Sequence, residues 1–201
     1  MFAFSAGTIA LVGYLATSRW NLARFDAGLA PITLFTSLDH HIPFVPLAFW
    51  AYVLYYLLAI SPTFLACNWR ELLTMAVAYG TASVIAWLTW VVLPVRMMVP
   101  PLHCAGLTCR LLVAFQEGDG GVNVFPSLHV AHTVLAAAFH VHHRSRVAPL
   151  VLVGTMLVVA STVLIRQHYL VDLPAGALTA AIGWWMARLT MGLGIPARER
   201  A

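Results

Sequence analysis

Two short stretches of the chain concentrate the side chains that can do chemistry. In Phe125-Pro126-Ser127-Leu128-His129-Val130-Ala131-His132, a proline suited to the first turn of a helix precedes a serine and a histidine. A helix starting there would point backbone N–H groups at an anion. In Arg166-Gln167-His168-Tyr169-Leu170-Val171-Asp172, His168 and Asp172 are four apart, so a helical stretch would put both on one face and let the carboxylate accept the imidazole Nδ1–H. That pairing makes the other ring nitrogen a better nucleophile or base. Arg166 offers a fixed fork of donors matched to phosphate oxygens. Brought together, the two stretches fit phosphoryl transfer: one imidazole attacks phosphorus, the other protonates the departing oxygen, and arginine neutralises charge on the phosphoryl oxygens. Such chemistry requires no metal ion and no other cofactor.

The elements that must position these residues are apolar helices. Of the 201 residues, 61% are hydrophobic and 9% charged, and the mean hydropathy is +0.85. A water-soluble domain of this size could not bury so much apolar surface. A membrane span needs about 20 apolar residues to cross a hydrocarbon core of roughly 30 Å. Six stretches qualify, at 2–18, 44–66, 72–95, 127–142, 147–165 and 173–191. The expectation is one all-α membrane domain over 1–201, a six-helix bundle with short loops and one longer loop at 96–126. Segment 19–35, with Trp20, Leu22, Phe25 and Leu29 among Arg19, Arg24 and Asp26, reads either as a short helix lying in the interface or as a loop. Arginine or aspartate at the centre of a membrane helix costs roughly 2.5–3.5 kcal/mol, so the polar residues kept beside these spans mark function.

Alternation places the 67–71 and 142–147 loops and both chain ends on one side, and 19–43, 96–126 and 166–172 on the other. Arg70, Arg144, Arg146, Arg198 and Arg200 lie on the first side; Arg19, Arg24, Arg96, Arg110 and Arg166 lie on the second. If Arg96 and Arg166 belong to a site, the balance favours both termini in the cytoplasm. No arginine precedes the first apolar run as in a cleaved leader. All 11 basic residues are arginine. Most of the seven tryptophans sit near span ends, as in an interfacial belt, instead of alternating with a basic face, so no nucleic-acid partner is expected. Cys104 and Cys109 can pair if their loop faces an oxidising compartment, or else serve as small apolar residues; Cys67 reads as a free thiol. His132 and His140 read as packed, hydrogen-bonded residues, and His142 and His143 beside Arg144 as a solvated basic turn.

At the two histidine stretches the chain resembles the type-2 phosphatidic acid phosphatase superfamily, whose motifs run Lys-x6-Arg-Pro, Pro-Ser-Gly-His and Ser-Arg-x5-His-x3-Asp. Pro126-Ser127-Leu128-His129 is similar to the second motif, with Leu for Gly. His168-x3-Asp172 matches the third, although the family's Ser-Arg pair falls on Ser161-Thr162 and the arginine is missing there. Arg166, two residues before His168, and the Phe125-Pro126-Ser127-Leu128-His129 form look more like the inositol phosphorylceramide synthase and sphingomyelin synthase branch. Asp39-His40-His41-Ile42-Pro43-Phe44-Val45-Pro46 is a weaker echo of that branch. The first motif departs most, and Arg96, shortly before Pro100-Pro101, stands in for it. The resemblance covers about 39–190. It implies a six-span bundle, His168 as the nucleophile of a phosphohistidine, Asp172 as its orienting partner and His129 as general acid. It also implies Ser127, Arg166 and Arg96 as phosphate-binding residues. The expected substrate is a lipid phosphate within a bacterial cytoplasmic membrane, with the site on the non-cytoplasmic face.

A phosphohistidine can pass its group to water or to an alcohol. The third-motif form leans toward transfer and the short loops toward hydrolysis, with hydrolysis placed slightly ahead. A metal enzyme using His129, His132, His168 and Asp172 would call for more carboxylates. A non-catalytic anion transporter would be expected to show an inverted repeat, and none is visible. The small residues Ala175, Gly176, Ala177, Ala180, Ala181 and Gly183 suit close packing of the last helix, within the chain or in a homo-oligomer.

Overall fold

A computed structural model describes residues 2–98 and 104–191, with side chains from residue 11 onward. Pro100, Pro101, Arg198 and Arg200 lie outside the described residues. The described chain forms α1 (Phe2–Asp26), α2 (Ala48–Ile60), α3 (Pro62–Leu65), α4 (Trp69–Val92), α5 (Leu107–Asp119), α6 (Leu128–His142), α7 (Ala148–Leu164) and α8 (Asp172–Met191). A single 3-10 turn at Asp39–His41 and one isolated bridge between Ile32 and Val95 complete its regular structure.

Local chemistry explains the boundaries. Asn68 caps α4 by accepting from Glu71 N–H at 3.0 Å, while the Glu71 carboxylate accepts from Cys67 N–H at 2.7 Å, so two otherwise orphaned donors are satisfied reciprocally. Helix α5 is flanked by Gly106 (φ 92°) and Gly120 (φ 68°), positive-φ positions that glycine takes without steric cost. Ser61 and Pro62 divide the apolar run 44–66 into α2 and α3, since proline has no N–H to continue the ladder.

Helix α6 occupies the middle, packed on α2, α4, α7 and α8. Its contacts with α4 and α8 run through Ala78, Ala82, Ala131, Leu135, Ala180 and Ala187, and such small side chains let backbones approach. A Cβ at Gly176 would lie 2.6 Å from Ser127 O, and one at Gly183 would lie 2.5 Å from Ala78 O. Those two glycines therefore serve packing within the chain, against α6 and α4. Outward faces carry Leu57, Phe64, Val92, Leu150, Met156, Leu178 and Trp185, all exposed.

Two sequence expectations change. Residues 19–26 continue α1 in place of a separate interfacial helix: buried Asn21 donates to Trp90 O at 3.0 Å, and Asn123 ties the same helix through Ser18 Oγ at 2.7 Å. The 96–126 loop contains α5, whose Leu112 and Phe115 pack with Phe49, Tyr52 and Ile165. Among the described residues two stretches, Ala48–Leu65 and Trp69–Val92, are long and apolar enough to cross a membrane, and the apolar Ala148–Leu164 is shorter.

Candidate active site

The link between α7 and α8 is a turn and not a helix, so His168 and Asp172 meet by a different route from the one their spacing suggests. Leu164 ends α7, and Gln167 and His168 N–H both turn back to Thr162 O, at 2.9 and 3.1 Å. Arg166 takes φ 58°, a region sparsely used by residues other than glycine. Asp172 opens α8, and its Oδ2 accepts Tyr169 N–H at 2.8 Å and lies 3.2 Å from His168 Nδ1.

His168 Nδ1 is also 2.9 Å from the carbonyl oxygen of Val124. A carbonyl can only accept, so Nδ1 carries the proton and Nε2 presents its lone pair. Nε2 lies 3.1 Å from Ser127 Oγ. Ser127 is the N-cap of α6 and accepts Val130 N–H at 3.3 Å, which leaves its own proton free to point at Nε2. Phe125–Pro126 is a cis peptide, and Pro126 precedes the cap, two positions before the first helical residue, Leu128, where a first-turn proline would sit. The His129 ring sits 5.7 Å from the His168 ring, centroid to centroid. Two tyrosines of α2 flank it, with centroids at 4.5 Å for Tyr52 and 4.4 Å for Tyr55, and the Tyr52 hydroxyl is 3.4 Å from His129 Nδ1.

Arg166 and His168 open onto a small cleft shared with Phe35, Asp39, Ile42, Met97 and Val163. Arg96 stands apart from this group. Its guanidinium lies over the Phe25 ring at 5.5 Å, and its carbonyl accepts the Tyr169 hydroxyl at 3.0 Å. Thus Ser127, His129, Arg166, His168 and Asp172 converge, while Arg96 joins them through its backbone. Asp39 is a carboxylate that burial would raise; hydrogen bonds from the Thr36 hydroxyl and from Leu170 and Thr36 N–H outweigh that and hold it below the ordinary value. Among the described residues no three His, Cys, Asp or Glu side chains are grouped to hold a metal ion. His132 is packed between Tyr55 and Tyr79, with Nδ1 2.9 Å from the Tyr55 hydroxyl.

Comparison with known families matches residues 21–186 to the PAP2 superfamily. The chain belongs to that superfamily. No curated protein and no solved structure matches it. PAP2 membership supports phosphatase or phosphotransferase chemistry, and the matched residues take in both histidine stretches. Sequence reasoning missed the two tyrosines that flank His129, Tyr52 and Tyr55. Their signal was present, since two hydroxyls three residues apart in an apolar run share a helix face. It also missed the Val124 carbonyl, because a backbone acceptor has no side-chain signature.

Proposed function

We propose that this protein is an integral membrane enzyme that takes a phosphoryl group from a lipid phosphate or diphosphate onto His168 and passes it to water. The observation that carries this reading is the fixed tautomer of His168. With Nδ1–H held by Val124 O and Asp172, at 2.9 and 3.2 Å, the lone pair of Nε2 is the one available to attack.

In the first half, Nε2 bonds to phosphorus and the phosphorus–oxygen bond to the lipid breaks. Its electron pair stays on the leaving oxygen, which takes a proton from His129. In the second half, water attacks phosphorus and gives a proton to His129, and the nitrogen–phosphorus bond breaks, returning its pair to Nε2. Ser127 and Arg166 hold the phosphoryl oxygens, and the start of α6 adds its N-terminal partial charge; Asp172 stabilises the positive charge on the phosphorylated imidazole. Arg96 contributes to phosphate binding only if its guanidinium leaves Phe25.

The apolar outward faces support a bundle surrounded by lipid, and the six spans read from the sequence remain our proposal for its topology. Cys104 and Cys109 form a disulfide, which supports a non-cytoplasmic location for that loop and the adjoining site. One feature favours a second reading, transfer to an alcohol: Arg166 two residues before His168 is the form of the inositol phosphorylceramide synthase branch.

The test is phosphate release by detergent-solubilised protein, with EDTA present, over a panel of lipid phosphates. His168→Ala is expected to lose at least the ~10²–10⁴-fold typical of a positioned acid or base. Near-normal turnover in that variant would sink the nucleophile assignment. Absence of release from every lipid phosphate would favour transfer, to be assayed with phospholipid donors and alcohol acceptors.

A further inference from the structure

The turn that carries Arg166 and His168 is bracketed by one segment of chain far away in sequence. At its start, Val45 N–H donates to Leu164 O at 2.9 Å. At its far side, Leu170 N–H donates to Asp39 Oδ1 at 2.8 Å. The other oxygen of Asp39 accepts Thr36 N–H at 2.8 Å and the Thr36 hydroxyl at 2.6 Å. Residues 36–45 thus form a strap that grips both ends of the turn, and the cleft is lined from both segments, by Asp39 and Ile42 of the strap with the adjoining Phe35, and by Arg166 and His168 of the turn with the adjoining Val163.

We propose that Asp39 is a positioning residue for the proposed phosphoryl-transfer site: its carboxylate clips the strap to Leu170 N–H and so sets where His168 and Arg166 meet the substrate. The proposal rests on the function given above. Asp39 touches none of the reacting atoms in this role. It is 9% exposed, and three donors fix it from two segments, which is the arrangement of a clip. The turn needs one. Arg166 at φ 58° holds a backbone conformation that persists only where its surroundings over-determine it, and the turn has no helical ladder of its own. Leu170 is two residues from His168 and from Asp172, so a shift of its N–H moves both members of the hydrogen-bonded pair. A misplacement of about 1 Å in such a group can cost on the order of 10²-fold in rate.

The experiment compares wild type, Asp39→Ala and Asp39→Asn, in detergent, by hydrogen–deuterium exchange and by kcat and KM on phosphatidate. In Asp39→Ala, peptides covering 165–171 are expected to exchange about 10-fold faster while α4 and α6 keep their protection, and kcat to fall by about 10²-fold with KM within about twofold. Asp39→Asn keeps one acceptor oxygen, which can serve Leu170 or Thr36 but not both, and is expected to fall between the other two. Unchanged exchange at 165–171 would overturn the clip, and faster exchange with wild-type kcat would overturn the positioning. Protection lost throughout the chain would also overturn it, by making Asp39 a general stability residue. Phosphate release that survives His168→Ala would remove the nucleophile reading while the exchange result stood independently.

Discussion

A ring nitrogen facing two acceptors must carry the proton, so the Val124 carbonyl and the Asp172 carboxylate together decide which edge of His168 can react. In the proposed reaction the carboxylate does more than orient, because phosphorylation at Nε2 would leave the ring positively charged beside it. Asp172→Asn is expected to lower kcat by about 10²–10⁴-fold with little change in KM, measured as initial rates of phosphate release; a KM effect alone would reduce Asp172 to a packing role. Arg166 combines a guanidinium at the cleft with φ 58°, and the two can be separated. Arg166→Gly relieves a backbone cost of about 1–2 kcal/mol and returns a similar amount through the freer unfolded chain. Its melting temperature should stay near wild type while activity falls by at least about 10²-fold, as expected when transition-state charge loses its donor. A variant with wild-type activity would leave Arg166 as a shaping residue only. The proximity of these five side chains, Ser127, His129, Arg166, His168 and Asp172, was legible because polar and charged residues are scarce in an apolar chain and these gather in two short stretches. The role of Arg96 was not, since its type and order in sequence say nothing of a guanidinium turned toward Phe25.

At the scale of elements, the positions of α4, α6, α7 and α8 follow from apolar runs, and their ends from caps such as Asn68 and Ser127. Helix α5 escaped because its apolar residues, Leu112 and Phe115 among them, alternate with Arg110, Gln116 and Glu117 in a pattern too mixed for a span. Residues 19–26 escaped because arginine at 19 and 24 reads as an interface signal, whereas Asn21 and Asn123 bury a polar seam that carries the helix on. The 165–171 turn was misread for a third reason. A four-residue spacing is the helical one, yet a side chain at the start of α8 can reach back across a turn to the same partner. The glycines of α8 test the packing directly. Gly176→Ala meets the carbonyl of Ser127, and Gly183→Ala meets that of Ala78. Because backbone cannot step aside as a side chain can, each is expected to cost about 1–3 kcal/mol, read as a lowered midpoint of thermal unfolding in detergent. Gly176→Ala should also depress activity, since it presses on the cap that faces His168. An unaffected midpoint in both would mean that the helices are free to separate slightly.

Taken whole, the molecule hangs the turn that carries Arg166 and His168 on a strap at 36–45, on Gln116 of α5 through Ile165 O at 2.8 Å and on Val124 ahead of α6. Asp39 makes that assembly pH-dependent. Its folded carboxyl titrates below the ordinary value because donors on Thr36 and Leu170 outweigh burial, so its stabilising contribution is complete above about pH 4, the ordinary carboxylate range. The contribution is lost as pH falls through the lower folded value. The gap in thermal midpoint between wild type and Asp39→Asn should therefore be widest at neutral pH and close on acidification; a gap that widened in acid would reverse the sign. Arg166 and His168 share the cleft with Asp39, and Asp172 lies beyond them on α8, so the comparison with Asp39→Asn isolates the one carboxylate. The bond from Leu170 to Asp39 joins residues 131 apart in sequence, and contacts of such separation must wait for most of the chain. Residues 36–45, Ser127 and His129 are synthesised well before the turn, whereas His168 emerges only two residues ahead of Leu170. Under the proposed function, synthesis therefore acts as a safety interlock, since the proposed nucleophile is made late, when the strap that positions it already waits.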